Sequence, residues 1–389
     1  MIKINKKIYL DYAASTPLDP QVKSVFIKTL EIFGNPNSLH SFGQEATAVI
    51  DEARLKIAGF FGTKPEEIIF TASATESNNL ALRGIVKFCR QKSNLETLHI
   101  VSSQIEHDSV LNTLRDLEKE GVAVTYLPPS RDGRLRVQDV SSFLKRETVL
   151  VSIMTVNNET GVIQPIEDIG RVVRNYRRIN NSIFPLLHTD AVCAIPYLDC
   201  QLDHLGVDLL TFSGHKIYAP KGVAGLVLKR GTPLEPIIAG GGQEGDRRSG
   251  TENTAGIAAL AQAIGLIKEN KKEESNRLEK LRKKFIEGIT ENWPKAVLNS
   301  GANKTSPHII NFRFPNQKSD ELLVQLDLAG VSISVGSACS SRALNPSHVL
   351  MAMGLTDEEV RSSLRFSLGR FTTEKEIDEV LKILKKIIK

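Results

Sequence analysis

The sequence predicts an α/β protein with a mostly parallel central sheet wrapped by helices, followed by a smaller α+β unit. Three observations predict this fold. Short β-rich runs alternate with amphipathic helical stretches between about residues 68 and 227. The pattern changes after Thr251, where a long charged helix leads into a second unit. A chain of 389 residues is also too long for one ordinary core, so we expect two domains.

The strands of the first unit are predicted by runs rich in β-branched and aromatic residues. In order these are EIIF, LHIVSS, VAVTYLP, TVLVSIMTV, IFPLLHTD, VDLLTFS and AGLVLK. The intervening helices are amphipathic, as in DSVLNTLRDLEKEG, where one stripe carries Val110, Leu111, Leu114 and Leu117. This alternation predicts parallel strands, with ligand sites at their carboxyl ends.

The second unit begins with the helical pattern IKENKKEESNRLEKLRKKFIEGI and contains the strand-like runs HIINFRF and VSISVG. The last segment, TEKEIDEVLKILKKIIK, carries its apolar residues on one side of a helix: Ile377, Val380, Leu381, Leu384, Ile387 and Ile388. A helix at a membrane surface would show such a stripe, but a core-facing helix is favoured.

Composition excludes several classes of protein. The chain is 41% hydrophobic and 24% charged, as in a globular protein, and its net charge of +5 is too small to indicate a nucleic-acid partner. MIKINKKIYLDY lacks the apolar core of a secretory signal, and no run is long enough to span a membrane. The four cysteines show no CxxC spacing, which argues against disulfides and a metal site. We therefore expect a cytoplasmic protein.

The motif FTASATESNN follows the predicted strand EIIF and resembles a helix start. Ser73 and Glu76 have the spacing of a capping box. Ala74 and Thr75 then fall in the first helical turn, where free N–H groups and the helix dipole favour an anion. Taken alone, the motif is more simply an ordinary capped helix.

Two further motifs place polar side chains where predicted strands end. Asp190 directly follows the apolar run of LLHTDAV, and Ser213, His215 and Lys216 share one turn in LLTFSGHKIYAPKG. A lysine beside a buried strand end is desolvated, which lowers its pKa and makes it a nucleophile toward carbonyls. The simpler alternatives are a helix-capping aspartate and a surface lysine.

An anion-binding helix start, a carboxylate and an activated lysine on one sheet are the three features that pyridoxal 5'-phosphate (PLP) requires. They are the phosphate anchor, the partner of the pyridinium nitrogen and the Schiff-base residue. A fourth feature is VGSACSSRAL, in which small, turn-favouring residues surround Cys339. A structural cysteine usually has apolar neighbours, so this thiol is predicted to be reactive.

With these motifs in place, the sequence resembles the cysteine desulfurases of the class V aminotransferase group, PLP enzymes of fold type I. The resemblance runs nearly the whole length and rests on motifs in a specific joint order: YLDYAASTPLDPQV, FGNPNSLHSFG, TASATESNN, IEHDSV, VNNETGVIQPI, FSGHKIYAPKG, RRSGTEN, VGSACSS and RFSLGRFTTEKEID. The SACSS form is similar to the branch whose cysteine lies on an extended mobile loop. We accordingly expect a large PLP-binding domain at residues 16–262 and a small domain at residues 1–15 and 263–389.

The resemblance implies a role for each matching residue around the cofactor. Lys216 would hold PLP covalently, Asp190 would keep the ring nitrogen protonated, and His107 would stack on the ring and assist proton transfers. The residues implied to bind the phosphate are Ala74, Thr75, Ser213 and His215, with Thr251 lent by the other subunit. The resemblance therefore implies a homodimer.

The resemblance also implies the substrate and the reaction. Asn157, which also lies by the cofactor, and Arg365 would hold the carboxylate of L-cysteine, since the guanidinium fork pairs with both oxygens. Cys339 would take the sulfur as a persulfide and release L-alanine. The sulfur would pass to an acceptor protein such as an iron–sulfur scaffold, or to thio-cofactors or tRNA. Alternatives are a selenocysteine lyase, another class V PLP enzyme, or a silent PLP-binding partner protein.

Three features depart from the family or mislead. Cys193 stands where the family usually has a glutamine that bonds the phenolic oxygen of PLP, and an inert buried thiol is favoured there over a second reactive one. The chain ends at LKKIIK without the longer tail that some relatives use to dock a scaffold, so the identity of the sulfur acceptor stays open.

GGGQEG, at residues 240–245, matches G-x-G-x-x-G but opens no βαβ unit. We expect it to be a flexible loop near the dimer interface.

Overall fold

The computed structural model describes residues 7–92, 96–301, 304–336 and 346–388. The strands within these residues are β1 (Ile8–Tyr9), β2 (Ile68–Thr71), β3 (His99–Ser103), β4 (Ala123–Leu127), β5 (Thr148–Ser152), β6 (Leu186–Asp190), β7 (Leu209–Ser213), β8 (Ala224–Leu228), β9 (Val297–Leu298), β10 (Ile309–Arg313), β11 (Val331–Ser332) and β12 (Ser363–Ser367).

The helices of the first unit are α1 (Pro20–Thr29), α2 (Ser41–Phe61), α3 (Ala74–Lys92), α4 (Asp108–Lys119), α5 (Val137–Phe143), α6 (Ile166–Asn180), α7 (Leu202–Leu205) and the short turn α8 (Gln243–Asp246). They are followed by α9 (Thr254–Asn292), α10 (Ser319–Leu328), α11 (His348–Ala352), α12 (Asp357–Arg361) and α13 (Glu374–Ile387). Pro65–Glu67 and Gly214–Lys216 form single 3-10 turns.

A seven-stranded sheet with the order β2-β8-β7-β6-β5-β3-β4 forms the centre of the protein. The pairs from β7 through to β4 are parallel, while β8 is antiparallel to both β7 and β2. This arrangement confirms the predicted, mostly parallel sheet. The carboxyl ends of β3, β5, β6 and β7 therefore share one edge, and the candidate site lies there.

The strands follow the predicted order but are shorter than the apolar runs. The run TVLVSIMTV continues past Ser152, where β5 ends. Beyond that point the Met154 amide donates to the buried carboxyl of Glu106, at 3.0 Å, instead of to a neighbouring strand. Pairing with β6 continues, because the Thr155 amide still donates to the Asp190 carbonyl at 2.9 Å. The Glu106 side chain therefore replaces the ladder partner only on the opposite side of the strand.

The second unit contains a three-stranded antiparallel sheet, β12-β10-β9, and the parallel pair β1-β11. The apolar side of α13 is buried in the same cluster as Phe285 and Phe366, through Ile377, Val380 and Leu384. The prediction of a core-facing helix is thus confirmed. The 39-residue helix α9 contributes to both main apolar clusters, and the exact domain division at residue 262 stays a prediction.

None of the helices within the described ranges is long and apolar enough to cross a lipid bilayer.

Candidate active site

Most of the predicted cofactor residues lie at the carboxyl edge of the central sheet. Asp190 is the last residue of β6, and Ser213 is the last residue of the neighbouring parallel strand β7. The 3-10 turn that follows β7 ends at Lys216. The sheet register therefore brings the carboxylate, the hydroxyl and the lysine to one edge, as their positions after strands predicted.

Asp190 is held in place by hydrogen bonds that the sequence did not reveal. Its side chain accepts from Asn78 Nδ2 at 2.8 Å and from the Val192 amide at 3.0 Å. Asn78 lies on α3 and also donates to Ser109 Oγ at 2.8 Å. Ser109 Oγ in turn lies 2.8 Å from His107 Nδ1. A continuous hydrogen-bond network thus links Asp190 to His107. The sequence signal for this network was Asn78, a polar residue on the buried side of a helix.

His107 is the N-cap of α4. Its Nδ1 accepts the Ser109 amide at 3.1 Å, because a capping residue satisfies one of the free N–H groups of the first turn. A ring nitrogen that accepts from a backbone amide carries no proton, so the neutral ring of His107 is protonated at Nε2. The cap thus determines both the orientation and the tautomer of this imidazole.

The structure supports a phosphate site beside the start of α3. Ser213 Oγ is buried and has no hydrogen-bond partner among the described residues. Burial and the nearby charge of Lys216 lower the pKa of His215 to about 4, so its ring is neutral at pH 7. An unpaired hydroxyl, a neutral imidazole and the N-terminal turn at Ala74 and Thr75 together fit an anionic phosphate.

The predicted capping box at α3 is present only in part. Ser73 Oγ accepts the Glu76 amide at 3.2 Å, as expected. The Glu76 carboxylate, however, accepts the amide of Ala72, at 2.8 Å, and not that of Ser73. Glu76 also bonds Arg248 at 2.7 Å, which draws its carboxylate away from the reciprocal geometry.

Lys216 extends toward the N-terminal segment, where its Nζ donates to the carbonyl of Ala13. It lines a small cavity of about 10 Å³, close to the size that holds one water, together with Cys193, Tyr197 and His308. Burial raises the pKa of Cys193, so its thiol is protonated. The Lys216 amine, the Asp190 carboxylate and the Ser213 hydroxyl have the chemistry that the aldehyde, the ring nitrogen and the phosphate of PLP require.

His308 is a site residue that the sequence analysis missed. Its Nδ1 lies 2.6 Å from Ser306 Oγ, and its ring centroid lies 4.5 Å from that of Tyr197. Burial, with the charges of Lys216 and Arg365, lowers its pKa to about 3. A neutral imidazole therefore lies near both cationic groups.

Arg365 is a buried cation with N–H donors to spare. It lies on β12 with a side chain 1% exposed; Nη2 donates to Asp11 at 2.7 Å and Nη1 to the Asn158 carbonyl at 3.0 Å. Its Nε has no partner within the described residues. Nε therefore remains available for a substrate carboxylate.

The side chain of Asn157 bonds backbone groups, which was not expected of a residue that binds cofactor or substrate. It is fully buried, its Oδ1 accepts the amides of Glu159 and Thr160 at 2.9 Å each, and its Nδ2 donates to the Ile105 carbonyl at 3.0 Å. These bonds shape the turn that brings the Asn158 carbonyl to Arg365. Its predicted contact with cofactor or substrate stays a prediction.

The remaining predicted residues are Thr251 and Cys339. Thr251 is exposed on the loop before α9, and Cys339 lies outside the described residues. Within the ranges that the structure describes, no group of three or more His, Cys, Asp or Glu side chains has the arrangement of a metal site.

The fold and the site define a PLP-dependent enzyme of fold type I. The family described as "Aminotransferase class-V" matches residues 8–380, and the chain belongs to it. The chain is 42% identical to a protein named "Cysteine desulfurase IscS" from Dictyoglomus turgidum, over 99% of this chain and 95% of the relative. Relatives of the same name occur in Clostridium botulinum, at 42% identity, and in Serratia proteamaculans, at 43%.

Solved structures give the same result. A "NIFS-LIKE PROTEIN" superposes with a TM-score of 0.90 at 35% identity, covering 98% of this chain and 99% of its own. A structure described as "SspA in complex with cysteine" superposes with a TM-score of 0.80 at 36% identity, covering 94% of this chain and all of its own. The resemblance stated from the sequence, the fold type and the PLP cofactor are confirmed.

Proposed function

We propose that this protein is a cysteine desulfurase that converts L-cysteine to L-alanine and carries the sulfur as a persulfide on Cys339. The observation that carries the proposal is the meeting of Lys216, Asp190 and the unpaired hydroxyl of Ser213 at one sheet edge. The similar proteins named cysteine desulfurase, and the similar structure described with cysteine, support the choice of substrate.

PLP, when bound, supplies an electron sink for charge that develops at the substrate Cα. Lys216 would hold it, and Ser213, His215, Ala74 and Thr75 would hold its phosphate. The Asp190 carboxylate, oriented by two hydrogen bonds, places negative charge beside the ring nitrogen. This chain thus supplies a fixed anion at one end of the cofactor and anion-binding donors at the other.

The remaining roles concern the substrate. Arg365 Nε binds its carboxylate, while Asp11 and the Asn158 carbonyl keep the guanidinium fixed. Lys216 would remove the Cα proton as the general base, in the form of the amine that is freed when the substrate amine takes its place. His107, with its proton on Nε2, is a donor for protons that return to the substrate.

The sulfur step joins Cys339 to the substrate, and it would depend on PLP as the electron sink for the charge left on the substrate carbons. The Cys339 thiolate attacks the substrate Sγ, and an S–S bond forms as the Cβ–S bond breaks. The electron pair of the broken bond stays with Cβ, which takes a proton and becomes the methyl group of alanine. The products are L-alanine and a persulfide on Cys339, which an acceptor such as an iron–sulfur scaffold would receive.

Purified protein tests this function directly. Lys216→Ala should remove the visible absorbance of bound PLP and abolish alanine formation. Cys339→Ser should keep the absorbance and stop sulfide release from L-cysteine in the presence of a reductant. Cys89→Ala, at a buried thiol on α3, is the control and should keep the parental rate. Sulfide release by Cys339→Ser at that same rate would rule out the persulfide role.

A homodimer is part of the proposal. Large apolar side chains between α1 and α2 are exposed, among them Phe33 at 77% and Leu39 at 92%. A cleft of about 420 Å³ joins this surface to the segment that begins at Thr251. Contiguous exposed apolar surface marks an interface, and a second copy there would bury it beside Thr251.

The cytoplasm is the proposed location. Cys193 and Cys200 are buried free thiols in the described part of the chain, which supports a reducing compartment.

A further inference from the structure

The loop at residues 240–253 has no role in the mechanism above, yet it is held by side chains along its length. Its glycine-rich start gave the misleading G-x-G-x-x-G match, and the sequence analysis expected it to be flexible. Near its end lies Thr251, which is exposed and which, as part of the proposed dimer, would bind the cofactor phosphate of the second copy.

Glu244 anchors the first half of the loop. Its side chain is 1% exposed, and both carboxylate oxygens accept from the Arg54 guanidinium at 2.8 Å. Oε2 also accepts the Phe70 amide at 2.9 Å. Arg54 comes from α2 and lies 4.6 Å over the Phe70 ring. A bidentate pair of this kind fixes direction as well as distance, so it ties the loop to α2 and β2 in one geometry.

The backbone around this anchor is strained. Glu244 and Asp246 both have left-handed φ values, 52° and 63° respectively. A non-glycine residue in this region is unfavourable and persists only when its surroundings fix it. The Glu244 contacts provide that constraint, and stored strain of this kind is typical of segments that carry function.

Further contacts hold the second half of the loop, just before Thr251. Arg248 Nε donates to Glu76 at 2.7 Å, and Glu76 also accepts the Ala72 amide beside the phosphate turn. The Gly250 amide donates to Gln243 Oε1 at 2.8 Å, which closes the loop on itself. Thr251 is thus the exposed residue at the end of a segment whose preceding residues are held.

We propose that Arg54 and Glu244 are positioning residues for Thr251. Their ion pair keeps the loop in the conformation in which Thr251 reaches the cofactor phosphate of the second copy. This inference rests on the proposed function, in which Thr251 is shared across the dimer. Without the pair, the loop has to be ordered each time PLP binds, and that ordering lowers the affinity for PLP.

The test is the affinity of the PLP-depleted, full-length dimer for added PLP, followed by absorbance. Arg54→Met and Glu244→Gln should each weaken PLP binding about tenfold, the loss of about one charge-assisted contact. Arg54→Lys should fall between them and the parent, because lysine keeps the charge but not the fork. If Arg54→Met fails to fold, Arg54→Lys still tests the role of the ion pair.

The decisive variants combine these changes with Thr251→Ala. If the pair acts through Thr251, adding Arg54→Met to Thr251→Ala should cost less than about twofold further affinity, since coupled residues are not additive. Arg313→Met removes another partly buried Arg–Glu pair, the one with Glu359, and should leave PLP affinity unchanged. Light scattering confirms that every variant is compared as a dimer.

The results separate this inference from the proposed function. Two results for Arg54→Met would overturn the positioning role while leaving the enzyme assignment intact: an equal reduction of PLP affinity in the parent and in Thr251→Ala, or a reduction in neither of them. A Thr251→Ala variant with the parental PLP affinity would also overturn the positioning role, because Thr251 would then make no contact that needs to be positioned. A parent protein that takes up no PLP would instead refute the proposed function itself.

Discussion

Asn78 connects the two polar groups on which the cofactor site depends. Its amide uses both N–H groups, one on Asp190 and one on Ser109, and Ser109 is the residue that fixes His107. An amide suits this position because it donates to a carboxylate without neutralising it. Asn78 Oδ1 is buried without a partner among the described residues, so the site bears a cost to keep these two donors.

Asn78→Ala should lower kcat for alanine formation about tenfold, since Asp190 loses one of its charge-assisted bonds. Asn78→Asp should lower it further, because a second carboxylate beside Asp190 raises the pKa of the pair. The measurement is kcat at saturating L-cysteine, together with the absorbance of bound PLP against pH. Asn112→Ala, at an exposed position on α4, is the control. An Asn78→Asp variant with parental kcat would contradict this role.

At the scale of elements, the residues that follow strands were predictable and the residues that cross between elements were not. Asp190 and Lys216 could be placed because apolar runs end directly before them, and parallel strands bring such ends together. Asn78, His308 and Glu244 could not, because their roles come from contacts with Asp190, Tyr197 and Arg54 across 111 to 190 positions of chain. Local pattern contains no signal for such distant pairings.

The pairing of β7 with β8 gives a prediction at this scale. Gly225 on β8 lies opposite Phe212, and a Cβ there would come within 2.4 Å of the Phe212 ring and 3.1 Å of the Ile69 carbonyl. Gly225→Ala should therefore destabilise the protein by about 1–3 kcal/mol through overpacking. Because β7 leads into Lys216, PLP affinity should fall as well. Urea denaturation and PLP titration measure the two effects.

Gly59 provides the matched substitution. It lies within α2, where an added Cβ would meet nothing within 4 Å. Gly59→Ala should stabilise the protein by about 0.5–1 kcal/mol, because alanine loses less backbone entropy in a helix. If Gly225→Ala proved as harmless as Gly59→Ala, the close packing of β8 against Phe212 would be wrong.

At the scale of the whole molecule, the site is assembled from both ends of the chain. Lys216 bonds the carbonyl of Ala13, and Arg365 is paired with Asp11. The family resemblance predicted Lys216 and Arg365 by their motifs. The N-terminal partners depend on how β1 pairs with β11 in the second unit, which no periodicity in the sequence specifies.

Glu106 makes the stability of the whole protein depend on pH. It is fully buried beside His107, with one oxygen bonded to Ser103 and the Met154 amide and the other without a partner among the described residues. Burial raises the pKa of its carboxyl from 4.5 to about 8. Between these values the folded protein keeps a proton that the unfolded chain has released. Rising pH therefore favours unfolding, by at most about 1.4 kcal/mol per pH unit from this group.

Glu106→Gln should remove this dependence, because the amide cannot titrate and its oxygen can accept the same two hydrogen bonds. The free energy of unfolding of the variant, measured in urea relative to the parent, should therefore rise steadily between about pH 5 and pH 8. Glu52→Gln is the control: Lys56 lowers the pKa of Glu52, so that carboxylate is ionised in both states across this range, and its curve should run parallel to the parent. A parallel curve for Glu106→Gln would mean that the folded protein buries Glu106 as an anion. That result would rule out a protonated Glu106 carboxyl beside His107 in the folded protein.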